Sequence, residues 1–292
     1  MRHNLSGTGI AIVTPFLEGG GVDFIGLEKL LNHIIEGGVD YIVVLGTTGE
    51  SVVLSADEKK AVTNFVNETV DGRKPLVIGI GGNNTCNVTD TIKTTDLYGY
   101  DAILSVSPYY NKPTQDGIYQ HYKALSANSP LPIILYNVPG RTSSNIRAET
   151  TLRLANDFDN IIAVKEASGD MDQIMKIIKD RPEGFLVISG DDGLTLPMIH
   201  MGADGVISVI GQAYPKEFSD MVRYGLEGNQ KVANELHYQL YDLLDPLYCD
   251  GNPAGIKAAL KVLGVCGDKL RLPLVNVTEE IYQQIERFVK ES

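Results

Sequence analysis

Eight short apolar runs recur along the chain at near-even spacing. They cover residues 9–16 (GIAIVTPF), 41–48 (YIVVLGTT), 75–82 (PLVIGIGG), 101–108 (DAILSVSP), 132–139 (PIILYNVP), 161–167 (IIAVKEA), 185–192 (FLVISGDD) and 205–211 (GVISVIG). Most are continuously apolar rather than alternating, which predicts strands covered on both faces. Successive runs begin 20 to 34 residues apart, room for a strand, a helix and two short loops. The stretches between them read as helices. Leu27, Leu30, Leu31, Ile34 and Ile35 form one helical stripe that stops at Gly37 and Gly38. Ser55 and Glu58 have capping-box spacing ahead of a helix over 56–70. Eight β-then-α units without a Pro/Gly-rich linker predict a closed (β/α)₈ (TIM) barrel over 1–225. An open doubly wound sheet is the alternative, disfavoured by strand count and even spacing. After residue 211 the strand pattern stops, and helices are predicted near 215–227, 229–247, 253–264 and 278–290. The first completes the barrel. The rest, 226–292, is expected to be a C-terminal helical extension that packs on the barrel or carries a subunit contact.

Composition narrows the function. Hydrophobic residues make up 43% of 292 and charged residues 21%, the balance of a soluble globular protein with a substantial core. The net charge is −12 and there is no basic run, which argues against nucleic acid and anionic membrane as partners. Any site for an anionic substrate must therefore be locally positive. No apolar run approaches the roughly 18 residues that span a bilayer. The N-terminal residues lack an apolar signal segment, so a cytoplasmic location is expected. Cys86, Cys249 and Cys266 have no C-x-x-C spacing and read as free thiols.

In such a barrel, functional groups gather at the C-terminal ends of the strands. Lys165 stands out there, the one lysine of sixteen inside an apolar strand run. A buried ammonium needs a reason, and desolvation at a strand end frees an amine to attack a carbonyl. Pairing with Glu166, or reaching out to water, is the simpler alternative. Around it the strand ends bring Thr47 and Thr48, Tyr109 and Tyr110, Tyr136 and Arg141, and Gly190 with Asp191 and Asp192. That set offers an amine nucleophile, phenols for proton transfer and a cation for an anion. The turn GTTGE (46–50) can hold a carboxylate on its N–H groups and hydroxyls, or be an ordinary βα turn. Tyr109 and Tyr110 also suit a subunit contact, and Arg141 a surface ion pair. The five histidines are scattered without zinc-ligand spacing, and Asp191 with Asp192 suits a cap better than a metal. No Walker-type loop and no G-x-S-x-G elbow occur.

Taken in order, GTTGES (46–51), SPYYNKPTQDGIYQHY (107–122), YNVPGRT (136–142), VKEASGD (164–170), SGDD (189–192) and GADGVISV (202–209) carry a closer message. The chain resembles, over nearly its whole length, the dihydrodipicolinate synthases. These are pyruvate-dependent class I aldolases of the N-acetylneuraminate lyase superfamily. The resemblance implies a covalent imine between Lys165 and pyruvate, with no metal or organic cofactor. It implies L-aspartate 4-semialdehyde as the second substrate, and a place in lysine and diaminopimelate synthesis. By the same resemblance Tyr136 transfers protons, Thr47 and Tyr110 complete its relay, and Tyr110 reaches in from a neighbouring subunit. Thr48 would hold the pyruvate carboxylate and Arg141 that of the second substrate, while Gly190 and Ile207 offer backbone contacts beside Lys165. The implied assembly is a homotetramer, a dimer of dimers. The chemistry of the residues agrees. A phenol is a weak base at neutral pH unless others share its proton, and an arginine fork suits a carboxylate.

Arg141 separates these enzymes from the sialic acid lyases of the superfamily, and a 2-keto-3-deoxy-sugar-acid aldolase stays open as an alternative. A non-catalytic barrel that binds a keto acid is a third reading, disfavoured by the intact Lys165, Tyr136, Thr47 and Tyr110. Members inhibited by lysine bind it at a dimer interface with a glutamate and histidines. Here Asn87, Ala56 and Lys59 stand at those positions, although Ser51, Asn83 and Tyr109 match. This degenerate allosteric site predicts weak or absent lysine inhibition.

Overall fold

In the computed structural model, which describes residues 5–291, the eight apolar runs form eight parallel strands. They are β1 (Gly7–Ala11), β2 (Tyr41–Val44), β3 (Leu76–Gly79), β4 (Ala102–Val106), β5 (Ile133–Asn137), β6 (Ile161–Glu166), β7 (Leu186–Ser189) and β8 (Gly205–Ser208). Each pairs with the next, and β8 pairs back onto β1 to close the barrel. The strands are shorter than the runs because the end of each run leaves the ladder to build the mouth. After β2, for example, Thr47–Gly49 coil into a 3₁₀ turn. At the other end, β1 starts two residues before its run, because Gly7 and Thr8 extend the ladder against Gly205 and Val206.

The connecting helices are α1 (Phe24–Glu36), α2 (Ala56–Val70), α3 (Thr85–Thr94), α4 (Gln115–Asn128), α5 (Pro139–Thr142), α6 (Ala148–Asp157), α7 (Met171–Asp180) and α8 (Thr195–His200). Four follow β8: α9 (Pro215–Leu226), α10 (Gln230–Cys249), α11 (Ala254–Val262) and α12 (Glu279–Glu291). On α1, Leu27, Leu30, Leu31 and Ile34 are buried and Ile35 partly so, as the stripe requires. The Ser55–Glu58 capping box forms: Ser55 Oγ accepts from the Glu58 amide and Glu58 Oε2 from the Ser55 amide, at 3.2 and 2.9 Å. No helix among the described residues is long and apolar enough to cross a membrane.

Period-two alternation divides the strand residues between two cores. Ile10, Ile42, Ile78, Ile103, Leu135 and Val164 face the helices, whereas Ala11, Val43, Val77, Leu104, Tyr136 and Ala163 face the barrel axis. Tyr41 fills the N-terminal end of the barrel, its hydroxyl donating to Val206 O at 3.2 Å. Only glycine fits opposite it, because a Cβ at Gly9 would lie 2.2 Å from the ring. The barrel is thus plugged below and open for chemistry at its other end.

Candidate active site

The alternation that buries Ala163 inside the barrel also turns Lys165 inward, two residues on. In the ladder Tyr136 is directly opposite Lys165, and Lys165 opposite Ile188. Lys165 is only 6% exposed, and its Nζ lies 4.4 Å from the centroid of the Tyr136 ring. An ammonium over that ring gains from its negative face. Gly190 is needed beside it, since a Cβ there would sit 3.0 Å from Lys165 Cε and 2.7 Å from Ala167 Cβ. Ile207, on β8, is buried on the same inner face.

Glu166 follows Lys165 in sequence yet points to the other side of the sheet. Its carboxylate accepts from Asn137 Nδ2 (3.0 and 3.1 Å), Gln173 Nε2 (3.0 Å) and the Ser168 amide (2.9 Å). Burial raises its pKa, and these hydrogen bonds pull the other way. Glu166 therefore ties β5 and β6 to α7 from behind, and the simple pairing with Lys165 does not occur.

A cavity of about 1040 Å³ opens over this end of the barrel, large for a small-molecule cleft. Thr47, Tyr136 and Arg141 line it, and it runs on past Ser51, Ala56, Lys59, Asn83, Asn87 and Tyr109. The residues of the degenerate allosteric site expected from the sequence thus line the same cavity, where Asn83 Nδ2 donates to Tyr109 O at 3.3 Å. Three basic residues on the wall (Lys59, Lys60 and Arg141) outnumber two acidic ones, Asp57 and Asp96. In a chain of net charge −12 that is a locally favourable place for an anion. Lys165, Thr48, Gly190 and Ile207 do not line it, although Lys165 lies against Tyr136, which does. Tyr110 is not brought to the site by its own chain: with φ at +74° its side chain is 88% exposed.

The strand 7 aspartates bind backbone. Asp191 Oδ1 accepts from the Gly193 and Leu194 amides at 3.0 and 3.2 Å, in the turn before α8. Asp192 is buried and accepts from the Val209 and Ile210 amides and from Tyr248 Oη, the last two at 2.8 Å. Burial raises its pKa, opposed by those hydrogen bonds. Among the described residues, no three His, Cys, Asp or Glu side chains gather as a metal site.

Several groups around the site escaped the sequence reading. Asn252, between α10 and α11, donates from Nδ2 to Thr48 Oγ1 at 3.0 Å, and its carbonyl lies 3.4 Å from Arg141 Nη2. Tyr248, on α10, reaches Asp192. Lys257, on α11, is more deeply buried than Lys165 and forms an ion pair with Glu50 at 2.5 Å. The helical extension therefore forms part of the site's surroundings. A lysine among Ile256, Ala258, Ala259 and Leu260 was the available signal for Lys257. Nothing local marked Asn252, whose partner is 204 residues away.

The sequence and the fold are similar to those of known proteins. The 4-hydroxy-tetrahydrodipicolinate synthase of Flavobacterium psychrophilum is 54% identical over 285 residues, covering 98% of this chain and 97% of that protein. The dihydrodipicolinate synthase of Thermotoga maritima superposes with a TM-score of 0.96 at 39% identity, covering 99% of both chains. The enzyme of Cyanidioschyzon merolae, solved with lysine bound, gives 0.94 at 39% identity, over 99% of this chain and 98% of that one. With residues 4–292 matching the family's sequence pattern as well, the chain belongs to the dihydrodipicolinate synthetase family.

Proposed function

We propose that this chain is a Schiff-base-forming lyase that joins pyruvate to L-aspartate 4-semialdehyde, giving 4-hydroxy-tetrahydrodipicolinate for lysine and diaminopimelate synthesis. The observation that carries the reading is the Lys165 amine against the Tyr136 ring on adjacent strands, beside a cavity lined by Thr47 and Arg141. The name borne by relatives of matching length supports the choice of reaction.

Lys165 Nζ attacks the keto carbon of pyruvate. Proton transfers through Tyr136 expel the oxygen as water and leave an imine. Loss of a methyl proton gives an enamine, whose carbon bonds to the aldehyde carbon as the aldehyde oxygen becomes a hydroxyl. The amino group of the second substrate then attacks the imine carbon, closes the ring and releases Lys165. Thr48 holds the pyruvate carboxylate and Arg141 the second carboxylate, with Gly190 and Ile207 as backbone contacts. The imine forms on the protein's own amine, so the reaction calls for neither metal nor organic cofactor.

Thr47 and Tyr110 complete the relay. The exposure of Tyr110 supports its donation to a neighbouring copy, in a homotetramer built as a dimer of dimers. A cytoplasmic location belongs to the same reading. The test is a comparison of aldehydes with pyruvate in excess. Aspartate semialdehyde should give kcat/KM at least about a hundredfold above N-acetylmannosamine or glyceraldehyde, a gap that recognition of a charged substrate can supply. Turnover with either sugar and none with aspartate semialdehyde would contradict the reading.

A further inference from the structure

The turn that carries Thr47 and Thr48 is bounded by two residues in left-handed backbone, Leu45 (φ +58°) and Glu50 (φ +52°). Neither is glycine, so each conformation is unfavourable and persists only where the surroundings hold it. Glu50 is held from the far end of the chain. Its Oε1 lies 2.5 Å from Lys257 Nζ, and its Oε2 accepts from the Arg271 amide at 3.2 Å. Lys257 Nζ also donates to Lys269 O at 2.8 Å and lies 4.2 Å from the centroid of Phe16. The two charged side chains are 0% and 1% exposed. Asn252, five residues before Lys257, donates to Thr48 on the same turn.

A buried ion pair adds little net stability over an apolar pair of the same volume. What it does supply is direction, because a carboxylate with two donors fixed on it cannot rotate away. We infer that Lys257 is a positioning residue for pyruvate, acting through Glu50 to hold the 46–50 turn so that Thr48 meets the substrate carboxylate. This rests on the pyruvate reading above. The helical extension then serves the catalytic site of its own chain, beyond any contact it makes with another.

The test compares Lys257→Met and Glu50→Gln with Ile285→Ala, a change in the buried face of α12. Two readouts apply: the pyruvate concentration giving half-maximal borohydride-trapped adduct, and amide hydrogen exchange of residues 46–53 without substrate. A displaced turn should raise the half-saturation about tenfold or more and speed the exchange about as much in both pair variants. Ile285→Ala should lower the melting temperature yet leave both readouts within about twofold of the parent. If a single variant fails to fold, Lys257→Met/Glu50→Gln leaves no unpaired buried charge and should show the same two changes. Unchanged half-saturation in folded pair variants, or an equal rise in Ile285→Ala, would overturn the inference. A parent enzyme that forms no pyruvate adduct would instead contradict the pyruvate reading, and the exchange comparison would still decide whether the pair holds the turn.

Discussion

One step along a strand decides what a charged side chain does in this protein. Lys165 faces the barrel axis beside Tyr136, while Glu166 faces the helices and is used up by Asn137, Gln173 and Ser168. Arg141 owes its place to α5, the short helix that follows β5, and it meets Asn252 at the cavity rim. Replacing Arg141 by alanine should raise the KM for aspartate semialdehyde about a hundredfold while the pyruvate KM stays within about threefold. Steady-state kinetics with each substrate varied in turn check this, and an equal loss for both would reassign the arginine. Lys165 was legible in the sequence because an ammonium amid Ile, Ala and Val is conspicuous. Lys257 has comparable apolar neighbours in Ile256, Ala258, Ala259 and Leu260, but it lies in a helix rather than at a strand end, so nothing in the sequence tied it to the site. Its burial comes from the 265–271 segment folding over it, and Lys269 O is one of its partners. Tyr110 was legible as a phenol at the end of the fourth strand run, its reach into a neighbouring subunit only through resemblance, and its own chain leaves it facing outward.

At the scale of elements, strands and helices were readable because apolar runs and stripes are local. Their ends were less so, because the same apolar residues continue into mouth loops whose conformation is set by neighbours, as with the 3₁₀ turn at Thr47–Gly49. Helix α4 adds a consequence for pH. His121 is buried on it, its Nδ1 2.9 Å from Thr85 Oγ1 and its Nε2 without a partner. Burial holds its pKa down at about 4. A histidine in the unfolded chain titrates near 6.5. Between those values the unfolded state binds the extra proton, so stability falls as pH drops through the window and is intact above it. The loss attributable to this ring is about 3 kcal/mol across the window. Thermal melts from pH 7 to pH 4 should show His121→Phe losing less stability than the parent. Parallel curves would show that the ring does not titrate as its burial demands.

On the scale of the whole molecule, the cavity joins the Thr47, Tyr136 and Arg141 end of the barrel to the cleft around Ser51, Asn83, Asn87 and Tyr109. The Cyanidioschyzon relative is solved with lysine bound, whereas this cleft presents Lys59, Lys60 and Asn87 to a ligand. Like charge disfavours a cationic amino acid, so lysine should leave the rate nearly unchanged at about 1 mM. Half-inhibition below that concentration would show that the cleft recognises lysine by other means. The barrel was readable as a whole because eight even repeats allow few closed arrangements. The service of the C-terminal extension to the site was not, because Asn252–Thr48 and Lys257–Glu50 join residues more than 200 positions apart.

In the proposed reaction Lys165 forms the imine with pyruvate. Borohydride reduction of the protein in the presence of pyruvate, followed by peptide mass mapping, tests it in one measurement. A single pyruvate adduct is expected, reduced onto the peptide that contains Lys165 and abolished by Lys165→Ala. An adduct on Lys257 or any other lysine, or no adduct at all, would contradict it.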